Sequence, residues 1–337
     1  MTTGPSVDGM LVQWGERLFY PSNRIVRPTA TPRLDTMTRR KAAVIRQRIQ
    51  ATVTRRAPQV MVKVTGGGRG MAAIAAHFRY ISKNGRLAIE DDRGVVREGK
   101  EALHDLADRW RHSGSLIDEV GHRREAFNIM LSMPRGADAQ IVQKAAREFA
   151  QTELAGHRYV MVLHEHQANP HVHLSVRAES RTGERLNPRK TDLHRWRETF
   201  AEKLRAWGIE AEATRQATRG ESRNFDPLWR VKARQEGRLR QTGIAEKTGQ
   251  RAWGSRADAM KGWAHIIKAL TASEIPEDRK LAERVAHFVQ RTPFFQKTVR
   301  QRQRDAAFAR QQQPNSQRQP RPLHGKVIDR LGPDLER

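Results

Sequence analysis

Four histidines stand close together in the segment YVMVLHEHQANPHVHLSVRAES. Apolar and polar residues alternate on both sides of a polar turn at residues 167–170, which predicts two strands joined as a hairpin. Residues two positions apart on a strand point to the same face of the sheet. The hairpin therefore predicts that the apolar side chains share one face, while the opposite face carries His164, His166, His171 and His173.

Three of these histidines have the arrangement of a metal site. His164, His171 and His173 are the predicted ligands, because imidazoles from two neighbouring strands can hold one side of a cation and leave positions for a substrate. Imidazole ligands by themselves suit zinc, manganese, nickel or copper. His166 is a fourth ligand, a group that hydrogen-bonds to a ligand, or an exposed turn residue, and the last two are favoured. The competing interpretation is that these histidines only hydrogen-bond to water and to neighbouring residues. A polar face of that kind would not need histidines at alternating positions, so the metal site is favoured.

A tyrosine is the second candidate for chemistry. The segment MAAIAAHFRYISKN has helical spacing, with Met71, Ile74, Phe78 and Ile81 on one apolar stripe. Tyr80 lies about 150° from the centre of that stripe, at about 100° per residue. Most off-stripe tyrosines are ordinary surface residues, but this chain has only three tyrosines. The other two lie in a proline-broken segment and on the apolar face of the hairpin, so Tyr80 is the one in position for chemistry.

Composition limits the kinds of partner and site. A formal net charge of +26 over 337 residues predicts a polyanionic partner, first of all nucleic acid. No apolar run approaches the roughly 18 residues that span a membrane, and the amino terminus lacks the pattern of a secretory signal. The absence of cysteine excludes thiolate metal sites, disulfides and cysteine nucleophiles, and it fits a cytoplasmic protein.

The elements around the two candidate sites follow a regular order. QVMVKVT alternates as a strand, GGGRG forms a turn, and the helix with Tyr80 follows; REAFNIMLSMP is another strand, and Asp138 caps a helix before the hairpin. This order predicts an α+β fold with helices on one face of a sheet and the other face open for a ligand. The glycine turn matches neither a Walker nor a dinucleotide-binding pattern. Two interpretations of the turn are open. Backbone amides at the start of the helix could hold a DNA phosphate, or the segment could be a plain flexible turn.

The two ends of the chain differ in composition from the middle. Residues 1–58 are predicted to be a basic, partly disordered arm with one short helix in TRRKAAVIRQRIQ, because prolines break the rest. Residues 221–337 are predicted to be a basic helical extension that ends in a disordered, glutamine-rich tail. Residues 59–220 between them form the predicted catalytic domain.

Basic residues after the hairpin are candidates for contact with DNA. Three basic residues precede a helix with an apolar stripe: Arg185, Arg189 and Lys190. Two roles are open for them, contact with the phosphates of the DNA backbone or ordinary solvated charge. In the same helix, His194 is expected to be a surface residue rather than an additional ligand.

Two motifs resemble those of a known family. AAHFRYISKNG, residues 75–85, resembles the tyrosine motif of the relaxases of conjugative and mobilisable plasmids, and HEHQANPHVHL, residues 164–174, resembles their metal motif. FNIMLSMPRG resembles the strand between them. The resemblance is to the HUH endonuclease superfamily, in particular its MOB-P-like mobilisation class, and covers roughly residues 60–220.

The resemblance implies a fold, a reaction and a set of partners. The family has a central antiparallel sheet with flanking helices, binds a divalent metal through three histidines, and cuts one DNA strand at a transfer origin. By position, Tyr80 becomes the nucleophile that forms a 5′-phosphotyrosine, a reaction that can be reversed to end transfer. The expected metal is magnesium or manganese, with zinc or nickel as alternatives, and no nucleotide cofactor is needed. Arg69 and Lys83 are expected DNA contacts near the tyrosine.

The same resemblance implies a cellular setting. The expected partners are accessory relaxosome proteins and a type IV secretion coupling protein. The expected location is the bacterial cytoplasm, with export alongside the transferred strand. Many relatives carry an acidic residue where this chain has His166, with Glu165 beside it. The group that accepts the proton of Tyr80 is therefore not assigned.

Other functions share some of these features. A rolling-circle replication initiator or a single-strand transposase of the same superfamily would use the same site. A metal phosphodiesterase would use activated water and leave free 5′-phosphate ends. A basic DNA-binding protein without catalysis would not need Tyr80 at all.

Overall fold

The computed structural model describes residues 6–20, 36–165, 169–221, 233–234, 236–238 and 249–312. The helices among them are α1 (Val7–Phe19), α2 (Thr36–Val53), α3 (Met71–Ile81), α4 (Lys100–His112), α5 (Ala139–Glu153), α6 (Lys190–Ala206), α7 (Gln250–Thr271), α8 (Pro276–Gln290) and α9 (Pro293–Gln312). A short 3-10 helix covers Gln216–Arg219. The strands are β1 (Met61–Gly66), β2 (Ile89–Asp91), β3 (Val96–Arg97), β4 (Ala126–Ser132), β5 (His157–His164) and β6 (His171–Ser180).

The strands form one antiparallel sheet in the order β1-β4-β6-β5-β2-β3. β5 and β6 make the predicted hairpin, in which His164 pairs with His171 and Val162 pairs with His173. The predicted α+β class with a central antiparallel sheet is confirmed. β2 and β3 escaped prediction because strands of three and two residues are too short to show an alternating pattern.

One face of the sheet packs against α5 and α6. Its core joins Met161 of β5 and Leu174 of β6 to Phe149 of α5 and Trp196 of α6, all fully or almost fully buried. Asp138 caps α5 as predicted, because its carboxylate accepts hydrogen bonds from the first amides of the helix. Met161 and Leu174 therefore occupy the face that the alternation predicts.

The opposite face is also covered, so the prediction of an open face is wrong. Val160 and Val162 point away from the first core and pack with α3 and α4. Phe78 of α3 meets Trp110 of α4 edge to face, with ring centroids 5.0 Å apart. The apolar stripe of α3 needs a partner, and the sheet face that carries the histidines provides it. The histidine end of that face lies beside the carboxyl end of α3.

The flanking helices build a third core. α1 and α2 pack with α7 and α8, and the shared core includes Leu11, Ile49, Trp263 and Val285. Gly15 of α1 makes this approach possible, since a Cβ there would lie 2.4 Å from Cγ2 of Ile45. The sequence predicted a helix within α2 but none at α1. The boundaries at residues 58 and 220 stay predictions.

Contacts divide the chain into the compact units Met1–Phe295 and Gln296–Arg337. The cores described above belong to the first unit. The second is described as far as Gln312, by the exposed part of α9. None of the helices in the described residues is both long enough and apolar enough to cross a membrane.

Candidate metal centre and tyrosine site

The hairpin brings three histidines together. His164 ends β5 and His171 begins β6, opposite each other in the ladder, and His173 follows two residues later on the same face. The three ring centroids lie 4.7 to 5.0 Å apart. One nitrogen from each ring lies within 4.8 Å of the others, and they are the only such group of His, Cys, Asp or Glu in the described residues.

Backbone carbonyls orient two of the rings. Nε2 of His164 lies 2.6 Å from the carbonyl oxygen of Ile81, and Nδ1 of His171 lies 2.9 Å from that of Asn169. A carbonyl only accepts hydrogen bonds, so both of these nitrogens must carry their ring proton. The other nitrogen of each ring is the one that could bind a cation. Hydrogen bonds of this kind fix the tautomer and orientation of metal-binding histidines.

The third ring is held in its neutral form by its surroundings. The pKa of His173 is lowered to about 3, chiefly by burial and then by the neighbouring His164, His171 and His77. A neutral imidazole offers a lone pair to a cation without first losing a proton. Three imidazoles that converge in this way fit a divalent metal ion.

Tyr80 lies at the end of α3, next to the residue that contacts this cluster. Its side chain is 58% exposed, as its off-stripe position predicts. The next residue, Ile81, is fully buried, and its carbonyl is the one that binds His164. The tyrosine is therefore connected to the histidine cluster through a single peptide unit and one hydrogen bond.

Sequence analysis missed one residue of this site, His77. Its ring stacks beside that of Tyr80, and its buried Nε2 has no hydrogen-bond partner. Burial lowers the pKa of His77 to about 4, and its charge acts on His173. The signal was present in the sequence, because residues three apart on a helix lie on the same side.

Comparison with known families decides what kind of domain surrounds this site. Residues 80–209 match the model of the MobA/VirD2-like relaxase nuclease domain. This segment is a relaxase domain. The match begins at Tyr80 and contains all three clustered histidines, so the resemblance drawn from the two motifs is confirmed. A comparison with curated proteins finds no match. The match of residues 80–209 supports a DNA-nicking function in general terms.

The two uncertain residues of the metal motif have different outcomes in the relaxase domain. His166 lies outside the described residues. Glu165 is exposed directly after β5 and is not among the groups that converge on the cluster. His194 was expected at the surface, but it is only 6% exposed and packs beside Tyr20, away from the relaxase metal cluster.

The basic residues predicted to contact DNA lie on the surface. Arg69, Lys83, Arg189 and Lys190 are exposed. Arg185 has protein partners: its guanidinium lies 2.5 Å from the carbonyl oxygen of Arg124, 3.4 Å from a carboxylate oxygen of Glu125 and 3.9 Å from one of Glu179. Arg185 is thus the least available of the five for a phosphate.

The glycine turn before α3 is packed, and two amides at the start of the helix are occupied. The N–H groups of Met71 and Ala72 donate to the carbonyls of Asp118 and Glu119, at 2.9 and 3.1 Å. A Cβ at Gly67 would lie 2.2 Å from the carbonyl oxygen of Ala126. The turn needs glycine because other backbone approaches closely, and its two predicted roles, a phosphate site or a flexible turn, stay predictions.

Proposed function

We propose that the protein nicks one DNA strand at the transfer origin of a plasmid or integrative element, using Tyr80 as the nucleophile. The single observation that carries this proposal is the link from Tyr80 through the Ile81 carbonyl to His164. The family match that begins at Tyr80 supports it. So does the net charge of +26, which favours binding to a polyanionic strand.

The proposed step exchanges one phosphodiester for another. The phenolic oxygen of Tyr80 forms a bond to the scissile phosphorus, and the bond from phosphorus to the 3′ oxygen breaks. The tyrosine proton leaves as the bond forms, and the departing 3′ oxygen takes up a proton to become a hydroxyl. A 5′-phosphotyrosine remains on the protein. Because the energy of the phosphodiester is retained, the 3′-hydroxyl can attack in reverse and rejoin the strand without a nucleotide cofactor.

His164, His171 and His173 are the groups that would hold a divalent metal ion. When bound there, the ion supplies Lewis acidity that stabilises the developing negative charge on the phosphate. Magnesium or manganese is the proposed ion, with zinc or nickel as alternatives suited to imidazole. The carbonyls of Ile81 and Asn169 hold two of the rings in the required tautomer.

The setting of the reaction is part of the proposal. The protein would act in the bacterial cytoplasm with accessory relaxosome proteins, and a type IV secretion coupling protein would recruit it for export with the strand. The exposed residues Arg69, Lys83, Arg189 and Lys190 are proposed to contact the backbone phosphates.

The test compares covalent DNA attachment by wild type and by two tyrosine variants, on a set of oligonucleotides that together cover the cleavage site. Single-stranded oligonucleotides that tile both strands of the mobile element are labelled at their 3′ ends and incubated with manganese or EDTA. Wild type is expected to carry label on a denaturing protein gel only with manganese, and Tyr80→Phe is expected to carry none. Tyr159→Phe is the matched control, because that ring is buried in the sheet core and its pKa is raised to about 12 by burial.

The products also separate the competing reactions. Cleavage that persists in Tyr80→Phe without protein-bound label would mean that water is the nucleophile, and the tyrosine mechanism would be wrong. Binding of DNA with no cleavage of any tile would favour the DNA-binding protein without catalysis. Adducts that form only at a replication origin or at transposon ends would favour the other members of the superfamily.

A further inference from the structure

The short segment Arg291–Phe294, which joins α8 to the first turn of α9, lies outside the matched relaxase residues and borders two different surface features. The first is a pocket of about 250 Å³, and its charged lining is formed by Arg56, Arg219, Arg291 and Glu221. The second is an aromatic pair formed by Trp253 and Phe294. We call these features together the 291–294 surface.

The pocket has the charge pattern of an anion site. Arg219 is held in place, because it donates hydrogen bonds of 2.7 Å to the Ala57 carbonyl and 3.0 Å to the Thr214 hydroxyl. The carboxylates of Glu212 and then of Glu221 interact with the guanidinium of Arg219 and partly offset its charge. Arg56 and Arg291 remain, both exposed, and neither is joined to a carboxylate of a described residue. Two guanidiniums are thus available to a phosphate.

The aromatic pair has the exposure of a stacking surface. Trp253 of α7 is 56% exposed, while Phe294 beneath it is only 9% exposed. Their ring centroids lie 5.8 Å apart at 61°, and the Arg256 guanidinium carbon lies 5.5 Å from the Phe294 ring. The Phe294 amide also donates to the Gly220 carbonyl, at 3.2 Å, which fixes the segment against the 3-10 helix. An exposed indole on a fixed support can accept an unstacked base.

We propose that the 291–294 surface binds single-stranded DNA, with a phosphate in the arginine pocket and a nearby base stacked on Trp253. Arg291 and Phe294 are three positions apart, so their Cα atoms lie at most about 11 Å from each other. A short stretch of single-stranded DNA covers that distance. Double-stranded DNA keeps its bases stacked on one another, so the indole selects single strands. This proposal rests on the proposed function in one respect, which is the strand that would be bound. Relaxase action produces single-stranded DNA, and that strand is the expected ligand.

Binding is tested in the full chain with cleavage disabled. The protein carries Tyr80→Phe, EDTA is present, and fluorescence anisotropy of a labelled oligonucleotide unrelated to any transfer origin is measured over a range of salt concentrations. Trp253→Ala is expected to weaken binding by about five-fold or more, the effect of losing one stacked base. Trp253→Phe is expected to retain most of the affinity. Arg56→Gln and Arg291→Gln are each expected to reduce the slope of log K against log salt by about 0.7.

Two control variants change the same residue types elsewhere. Trp207→Ala removes a tryptophan that is 42% exposed at the end of α6, where its indole donates to Glu148. Arg55→Gln removes the neighbouring charge, which is paired with Glu210 at 2.8 Å. Both controls are expected to bind as the parent does. Equal affinity of Trp253→Ala and Trp207→Ala, with an unchanged salt slope in the arginine variants, would overturn the proposal.

Two further outcomes keep the conclusions separate. An RNA of the same sequence that binds more tightly, with the same dependence on Trp253, would make the surface an RNA site and contradict the proposal. Failure of the proposed function would appear as cleavage that survives Tyr80→Phe. Failure of this inference would appear as unchanged strand binding in Trp253→Ala, whatever the cleavage result.

Discussion

The ring of His77 stacks beside the ring of Tyr80, with centroids 6.2 Å apart and 26° between the planes. Both side chains come from α3, one turn apart, so the contact restricts the phenol at the point where the helix meets the histidine cluster. His77 also acts electrostatically on His173. It therefore lies near both the proposed nucleophile and a proposed metal ligand, in a position to orient Tyr80.

The first prediction concerns this contact. His77→Ala is expected to lower the rate of nicking at saturating DNA by at least about ten-fold, because an unrestrained phenol spends less time in line with the phosphate. Metal affinity, measured by calorimetry, is expected to change little. His104→Ala, an exposed histidine on α4, is the control. Normal nicking by His77→Ala would show that the stacked ring does not position the tyrosine.

The second prediction concerns the metal. Manganese is expected to raise the melting temperature of wild type, because an ion that binds only the folded chain stabilises it. His173→Ala is expected to abolish this shift and to weaken manganese binding by more than the roughly 10–100-fold that loss of an orienting partner costs. His122→Ala, which is exposed and outside the cluster, should behave as wild type. A manganese shift that survives His173→Ala would place the ion elsewhere.

The third prediction is a pH dependence of stability through His194. Burial, followed by the charges of Arg197, Arg48 and Arg215, lowers the pKa of this side chain to about 4. In the unfolded chain its pKa returns to about 6.5, so the unfolded state binds the extra proton between pH 6.5 and 4. The contribution of His194 to the free energy of unfolding is therefore fully present above about pH 6.5. It falls as the pH is lowered towards 4, by at most about 1.4 kcal/mol per pH unit.

Urea unfolding at pH 7 and pH 5, with EDTA present, measures this effect. The loss of unfolding free energy between the two pH values is expected to be smaller in His194→Phe than in wild type. Other buried histidines titrate in both proteins, so the difference between the two losses belongs to His194. Identical losses in the two proteins would mean that His194 keeps its ordinary pKa.

The fourth prediction contrasts two glycines. Gly67→Ala is expected to destabilise the protein by about 1–3 kcal/mol, because its Cβ would lie 2.2 Å from the Ala126 carbonyl oxygen. Gly254→Ala, in α7, meets nothing within 4 Å and is expected to stabilise by about 0.5–1 kcal/mol, since alanine favours a helix interior. Thermal unfolding checks both. An unchanged stability of Gly67→Ala would show that the turn before α3 can shift to accommodate the added methyl group.

Much of the relaxase site could be predicted from the sequence. Alternation in the hairpin placed His164, His171 and His173 on one face because a strand repeats every two residues, whatever lies around it. The helical period put Tyr80 off the apolar stripe of α3 for the same local reason. Short-range spacing is set by backbone geometry, and neighbours along the chain are enough to reveal it.

Other features depend on contacts between remote elements, and only the tertiary structure decided them. Helix α3 covers the sheet face that alternation left open, and its Ile81 carbonyl reaches His164, 83 positions away. Helices from both ends of the chain share a core, which brings Arg56 to the same pocket as Arg291. No local period encodes such pairings, because they follow from how apolar faces far apart in sequence cover one another.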